Sequence, residues 1–410
     1  MGEFGLGLDL GTTTVQAQLV SLETGKILDE ISTLNSQRAF GADVISRIAA
    51  ARDGKTAELF ACINSQVEGI LKHFSDKWDI SKIERCNVSG NTTMLHLFCG
   101  ENPSAMGEAP FSPVFLEERH FAGAELNLSA EHILLLPGIS AFVGADIVAG
   151  LVFSSINRNE TSLFADIGTN GEIAVWKKNG NRLFCCSTAA GPCFEGAEIS
   201  CGMTALSGAI NRISLKEEEA ARWFTYGLSA CPGSRHKTLF YTTVENEKAR
   251  GICGCALIDG IAVMKRLGAI DETGAFAGCY AQTGFPVAEG IGISQEDIRR
   301  FQLAKAAIFS GIKVLCKTAG ISPASVDTAY IAGGLGFYIN LENAAFVGLI
   351  PSEIISKSAV CGNTSLKGAV LSLTNPSFLP LCRDIIARST VIDLALDREF
   401  SEAFMENMGI

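Results

Sequence analysis

The run Gly7-Leu8-Asp9-Leu10-Gly11-Thr12-Thr13-Thr14 has a counterpart in mid-chain, Leu163-Phe164-Ala165-Asp166-Ile167-Gly168-Thr169-Asn170-Gly171-Glu172. Each copy follows an apolar stretch that reads as a strand and precedes another. Each places an Asp two residues before a Gly and a hydroxyl residue directly after it. Glycine permits tight turns and close approach. Successive backbone N–H groups beside Thr hydroxyls form a concavity suited to phosphate oxygens, and the Asp suits Mg²⁺. Taken alone, the first turn reads equally well as an ordinary hairpin; its repetition favours two half-sites for one nucleotide. A third element, Tyr330-Ile331-Ala332-Gly333-Gly334-Leu335-Gly336, ends an apolar strand in glycines, a surface on which the plane of an adenosine can rest.

The segments around these turns repeat as well. Strands are expected at 4–10, 15–21 and 26–33, helices at 41–51 and 57–75, a strand at 83–88 and a helix opened by Ser89–Thr93. Later come a short strand at 133–136 and a helix at 145–153. The pattern restarts with strands at 163–166, 172–177 and 182–187. A long helix at 295–319, with Ser294 as N-cap and Asp297 three residues on, precedes the strand 328–332. Helices near 341–347 and 363–373, a strand at 389–394 and a helix at 397–406 complete the chain. The stretch 213–250 is charged and reads as an irregular insertion. The expectation is an internal duplication of an α/β unit: a first lobe at 1–155 and a second at 156–410, with the ligand in the cleft between them.

The chain has 410 residues, 47% of them hydrophobic, with a mean hydropathy of +0.26 and a net charge of −11. These values describe a globular protein with large cores and argue against a general nucleic-acid binder. Neither a signal peptide nor a membrane span is evident, so the cytoplasm is the expected location. The 14 cysteines are scattered, which disfavours a disulfide framework. The closest pairs, Cys185-Cys186 and Cys253-Gly254-Cys255, lack CxxC spacing, so an iron–sulfur cluster is not expected.

In this order, the two phosphate turns and the late glycine turn resemble the acetate and sugar kinase/heat-shock/actin (ASKHA) superfamily, whose two ribonuclease-H-like lobes hydrolyse or transfer the γ-phosphate of ATP. More narrowly, several strings resemble the ATP-dependent reductive activators of corrinoid proteins: Phe40-Gly41-Ala42-Asp43-Val44-Ile45-Ser46-Arg47-Ile48, Gly90-Asn91-Thr92-Thr93-Met94, Pro137–Asp146, Ala190–Ala197, Ile199–Met203, and Asp297-Ile298-Arg299 with Gln302–Lys305. Such activators use ATP to help drive an electron into cob(II)amide, regenerating the cob(I)amide of methyltransferase systems such as O-demethylases. The resemblance implies a corrinoid protein as partner and ATP with Mg²⁺ as ligands. The activators usually carry an N-terminal ferredoxin-like iron–sulfur domain ahead of this region, whereas Asp9 here lies almost at the first residue. The electron donor is therefore expected to be a separate domain or protein. A homodimer is the commonest assembly to expect.

Carried onto this sequence, the resemblance implies phosphate and metal contacts at Asp9, Gly11, Thr12 and Thr13, a second set at Asp166, Gly168, Thr169 and Asn170, and adenosine contacts at Gly333, Gly334 and Gly336. Asn91 and Thr92 match a segment connecting the lobes. Gly362 and Gly368-Ala369 match a second connecting helix, where small residues allow close crossing. Asp146 is a candidate for orienting the attacking water, with capping of the 145–153 helix as the competing reading. Glu195 and Glu198 read equally as metal or ribose ligands and as turn carboxylates. His96, Cys193 and Cys201 read as packing residues, and Lys305 as an exposed helix lysine with the base or ribose as its alternative partner. Two other functions remain open: a small-molecule kinase of the same superfamily, acting on a sugar or acid, and a non-catalytic ATP-sensing module that binds a partner.

Overall fold

The computed structural model describes residues 3–156, 160–216, 222–228 and 237–410, and the chain divides into two compact units. The first unit opens with an antiparallel meander of β1 (Phe4–Leu10), β2 (Thr14–Ser21) and β3 (Ile27–Leu34). Alternation in these strands buries Leu6, Leu8 and Leu10 of β1 and their cross-strand partners Leu19, Ala17 and Val15 of β2 on one face of the sheet. Two helices follow: α1 (Val44–Ala50), capped by the Asp43 carboxylate accepting from Ser46 N–H, and α2 (Thr56–Trp78). The strand β4 (Arg85–Gly90) lies parallel to β1, leads into α3 (Thr92–Phe98), and pairs with β6 (His132–Leu135). A strand absent from the sequence reading, β5 (Arg119–Ala122), completes the order β3-β2-β1-β4-β6-β5, and α4 (Ala145–Phe153) covers the sheet.

The second unit repeats this plan. The strands β7 (Ser162–Ile167), β8 (Gly171–Lys177) and β9 (Arg182–Thr188) form the meander. The stretch expected to be an irregular insertion is instead ordered as strands. These are β10 (Ala209–Ser214), β11 (Phe224–Leu228), β12 (Lys237–Thr243) and β13 (Gly251–Ile252), in one sheet of order β11-β12-β10-β13. Alternation hidden among charges carries it: Leu239 is buried and Phe224 stacks on Tyr241 at 5.4 Å. Residues 217–221 and 229–236 of that stretch lie outside the described residues.

Next come α5 (Gly254–Leu267), the short α6 (Tyr280–Thr283), the hairpin β14 (Phe285–Ala288) with β15 (Ile291–Ile293), and α7 (Gln295–Thr318). As expected, α7 starts with a capping box, Ser294 on Asp297 N–H and Asp297 on Ser294 N–H. The strand β16 (Thr328–Ala332) runs parallel to β7, and after α8 (Leu341–Phe346) the strand β17 (Ser358–Gly362) runs parallel to β16. Both units thus place a parallel strand beside the first strand of a meander, the duplicated arrangement expected from the sequence.

The division between the units departs from the expected boundary near 155. Residues 363–391 belong to the first unit although they follow the second in sequence. They contain α9 (Thr364–Thr374), continuing the expected 363–373 helix, and α10 (Phe378–Ala387), which the sequence reading did not identify. Small residues let α9 cross α4 closely: a Cβ on Gly368 would lie 2.5 Å from Ala149 O. The last helix, α11 (Arg398–Glu406), belongs to the second unit. Among the described residues, no helix is long and apolar enough to cross a membrane. Among the described residues, twelve cysteines are free thiols, eight of them buried, as packing residues should be; Cys279, against the expectation of no disulfides, is disulfide-bonded.

His96 is fully buried in α3, stacked on Phe115 at 4.3 Å. Its Nδ1 lies 2.7 Å from Thr92 O, and its Nε2 accepts from Val114 N–H at 2.9 Å. Nδ1 must therefore be the donor and the ring neutral, which confirms a structural role. Burial lowers its pKa below 6.5. The unfolded chain then takes up the proton first, so stability is full above about pH 6.5 and falls on acidification toward the folded pKa. Urea melts of wild type and His96→Gln between pH 5 and 7.5 should show the parent losing stability on acidification and the variant losing less. Parallel losses would contradict a neutral buried ring.

Candidate functional site

In the first unit, β1 delivers Asp9 beside the turn Gly11–Thr13. The three carbonyls of that turn are held by protein donors. Asn35 Nδ2 donates to Gly11 O at 2.8 Å, Arg47 NH2 to Thr12 O at 2.6 Å, and Asn35 N–H to Thr13 O at 2.9 Å. A trans peptide points its N–H opposite its C=O. With the carbonyls drawn inward, the N–H groups of Thr12, Thr13 and Thr14 face the other way, as an anion cradle requires. Arg47 is fully buried and also donates from Nε to Gly41 O at 3.1 Å. Burial lowers its pKa to about 10, against the raising influence of Asp43, so it stays charged at neutral pH.

Two helix starts adjoin the turn. Asn91 caps α3 by accepting from Met94 N–H at 3.0 Å, and its Nδ2 donates to Thr12 Oγ1 at 3.0 Å. Thr92 Oγ1 donates to Ser140 O at 2.7 Å. Asn91 and Thr92 therefore lie inside the first unit, at the start of α3. Gly144 is the N-cap of α4, and a Cβ there would stand 2.8 Å from Asn91 Cα, Thr92 N and Asp146 Oδ1 alike. Only glycine allows these segments to meet. Asp146 is not the cap; it sits in the first turn of α4, where Oδ1 accepts from Ile147 N–H at 2.9 Å.

The Asp9 carboxylate accepts from Ser365 Oγ and Asn363 Nδ2, each at 2.7 Å, both at the start of α9. Asn363 also donates to Gln16 Oε1 at 2.8 Å and caps α9 through Leu366 N–H. Hydrogen bonds and the helix N-terminus favour the charged carboxylate. Burial opposes them and prevails, so the Asp9 pKa is raised. The Asp146 carboxyl is pushed up to about 7, first by burial and then by the charge of Asp9. Two neighbouring carboxyls that resist ionising together are a donor set that a divalent cation would stabilise.

In the second unit, Asp166 ends β7 opposite Ala332 of β16. The turn after it closes through Gly168 N–H on Asn170 O at 3.0 Å and Gly191 N–H on Thr169 O at 2.9 Å. Thr169 N–H donates to Glu195 Oε1 at 2.9 Å. Glu195 is thus part of this turn, placed against the amide expected to meet phosphate. Gly333 has φ +91°, and a Cβ there would lie 2.5 Å from both Asp166 Oδ1 and Ile167 O. The glycine turn therefore packs directly on the Asp166 turn. Gly334 and Gly336 lie in the short helical turn Gly334–Phe337. Substituting Gly333 by Ala should cost about 2 kcal/mol or more, from left-handed backbone plus the clash, and should weaken nucleotide binding; a urea midpoint equal to wild type would contradict this packing.

Asp9, Gly11, Thr12, Thr13, Asn91, Thr92 and Asp146 thus form one constellation in the first unit, while Asp166, Gly168, Thr169, Asn170 and Gly333 form another in the second. The sequence reading missed Asn35, Arg47, Asn363 and Ser365. Arg47 stood in a quoted string, but nothing in the spacing linked it to a turn 35 residues away. The exposed position expected for Lys305 is also corrected: it is 4% exposed.

The chain matches the RACo middle region over residues 4–159 and the C-terminal domain of RACo, the ASKHA domain, over residues 160–410. It is 31% identical over 435 aligned residues to the corrinoid activation enzyme RamQ of Eubacterium limosum, covering 98% of this chain and 70% of that protein. It is 29% identical to the [Co(II) methylated amine-specific corrinoid protein] reductase of Methanosarcina barkeri, covering 88% of this chain and 68% of that protein. A solved structure of a reductive activator for corrinoid, iron-sulfur protein superposes with a TM-score of 0.86 at 32% identity, covering all of this chain and 66% of that one. The chain thus spans about two thirds of the length of these relatives. With both regions matched end to end, the chain belongs to the RACo family of corrinoid activators, comprising its middle region and its ASKHA domain.

Proposed function

We propose that this chain binds Mg-ATP and acts as an ATP-dependent reductive activator of a corrinoid protein. It would couple ATP binding and hydrolysis to the one-electron reduction of cob(II)amide to cob(I)amide. The electron comes from a separate ferredoxin-like domain or protein. The observation that carries ATP binding is the first turn, whose three carbonyls are held inward by Asn35 and Arg47. The family and the printed names of the relatives carry the corrinoid partner.

In this reading Gly11–Thr13 and Gly168–Asn170 hold the phosphates, and Gly333, Gly334 and Gly336 face the adenosine. Asp9 and Asp166 would hold Mg²⁺, which would offset phosphate charge; the raised carboxyls of Asp9 and Asp146 fit such an ion. With its pKa near neutrality, Asp146 orients water and accepts its proton. Glu195 releases the Thr169 amide when phosphate binds. Phosphoryl transfer then rests on positioning and charge stabilisation. ATP favours reduction only as far as its affinity differs between states of the protein that hold the corrinoid partner differently.

Phosphate release, measured with and without a cob(II)amide-loaded corrinoid protein, tests the proposal. Turnover without a small acceptor, responsive to the corrinoid protein, is the expected result. Turnover only with a sugar or acid acceptor would identify a kinase, and binding without turnover a sensor; either would overturn the proposal.

A further inference from the structure

Across β2, β1 and β4, three polar residues stand side by side. Gln16 pairs with Asp9, and Asp9 with Ser89. Residues paired in register share a face of the sheet, so the three form one row with Asp9 in the middle. That face is kept low along β1, where Gly7 and Gly5 precede Asp9 at a period of two. A Cβ on Gly7 would lie 2.5 Å from Val370 Cγ2 and 2.9 Å from Val370 N, and one on Gly5 would lie 3.0 Å from Leu373 Cδ2. Glycine within a strand marks the close approach of another backbone. Here it lets α9 lie on the strand, which brings the first turn of that helix against the row.

The turn grips Asp9 from both sides. Asn363 spans Asp9 and Gln16: its Nδ2 gives one hydrogen to Asp9 Oδ2 at 2.7 Å and the other to Gln16 Oε1 at 2.8 Å. Ser365 spans Asp9 and Ser89. Its single hydroxyl hydrogen goes to Asp9 Oδ1 at 2.7 Å, which leaves its Oγ to accept from Ser89 Oγ at 2.9 Å. Ser89 is fully buried and Ser365 nearly so. The Asn363 amide cannot turn over. Its Oδ1 accepts from Leu366 N–H at 2.9 Å as the cap of α9, and a flip would break that bond and set oxygen against the Asp9 carboxylate. Each Asp9 oxygen therefore holds one donor of fixed direction. A carboxylate offers about four lone-pair sites, so the plane of the group is set and each oxygen keeps room for a further partner.

Taking Asp9 as a Mg²⁺ ligand, as proposed above, we infer that Asn363 and Ser365 are positioning residues for the ion of Mg-ATP: they hold the Asp9 carboxylate in the plane from which its free lone pairs meet the metal. Partners that orient a metal-ligating group contribute about 10–100-fold to metal affinity or activity. Capping α9 is the other task of Asn363, and Ser caps a helix equally well. Asn363→Ser therefore separates the two tasks: it keeps a cap oxygen but is too short to reach Asp9.

Titration with Mn²⁺, followed by the electron paramagnetic resonance signal of the free ion, reads the site without turnover. Wild type, Asn363→Ser, Ser365→Ala and Asp9→Ala are compared at a saturating concentration of a non-hydrolysable ATP analogue. Asn363→Ser and Ser365→Ala should each weaken Mn²⁺ binding about tenfold, while analogue affinity without metal and the circular dichroism spectrum stay as in wild type. In turnover assays the half-saturating Mg²⁺ concentration should rise by a similar factor, and Ser365→Thr, which restores the hydroxyl, should return toward wild type. Tighter Mn²⁺ binding by wild type than by Asp9→Ala, with Asn363→Ser and Ser365→Ala both matching wild type, would overturn the inference and leave Asp9 as the ligand. Wild type matching Asp9→Ala would overturn the reading of Asp9 itself, and the inference with it.

Discussion

Replacing Asp9 by Ala is expected to reduce ATP turnover by about 10²-fold or more while the chain stays folded. Asp9 stands at the end of β1, beside the amide cradle and beside Asp146. Its loss removes a proposed Mg²⁺ ligand and the negative charge that acts on Asp146. Two donors, Ser365 Oγ and Asn363 Nδ2, lose an acceptor, at a cost of about 1–3 kcal/mol. Circular dichroism and a urea melt separate that cost from the loss of activity. A second signature is independent of turnover: the charge of Asp9 helps raise Asp146, so removing it should lower the Asp146 pKa from about 7. Burial would still hold it above the ordinary carboxyl value. A carboxyl-carbon NMR titration reads this; an unmoved pKa would show that the two groups do not interact.

Arg47→Met should be nearly as damaging by a different route. The guanidinium holds Thr12 O and Gly41 O from within the core. Without it both half-buried carbonyls lose their donor, which costs about 2 kcal/mol. The turn then loses the anchor that aims its N–H groups, and ATP affinity should fall about tenfold or more. Lys restores the charge but not the fork that reaches two carbonyls at once, so Arg47→Lys should recover stability only in part. Titration calorimetry with an ATP analogue, beside urea melts, tests both statements. Unchanged affinity in a destabilised Arg47→Met protein would mean that the carbonyl anchor is structural alone.

The sequence disclosed what depends on local chemistry. Both meanders, α4, the capped start of α7 and the β16 strand follow from period, caps and glycine turns close in sequence. The site residues that were legible are those on the turns themselves. What stayed hidden depends on long-range closure. Asn363 and Ser365 reach Asp9 across more than 350 residues. The same closure returns residues 363–391 to the first unit, against the expected single boundary near 155. The β10–β13 sheet was obscured because charged residues mask its alternation. Asp146 was visible as a carboxylate near a helix start, but its raised pKa depends on burial beside Asp9, which no spacing in the chain discloses.

The most direct test follows the visible spectrum of a cob(II)amide-loaded corrinoid protein mixed with this chain and a low-potential reductant, with and without Mg-ATP. The cob(II)amide bands should give way to cob(I)amide only when ATP is present, and that dependence should vanish in Asp9→Ala and Asp166→Ala. Reduction at the same rate and extent without ATP, or both variants behaving like the parent, would contradict the central claim.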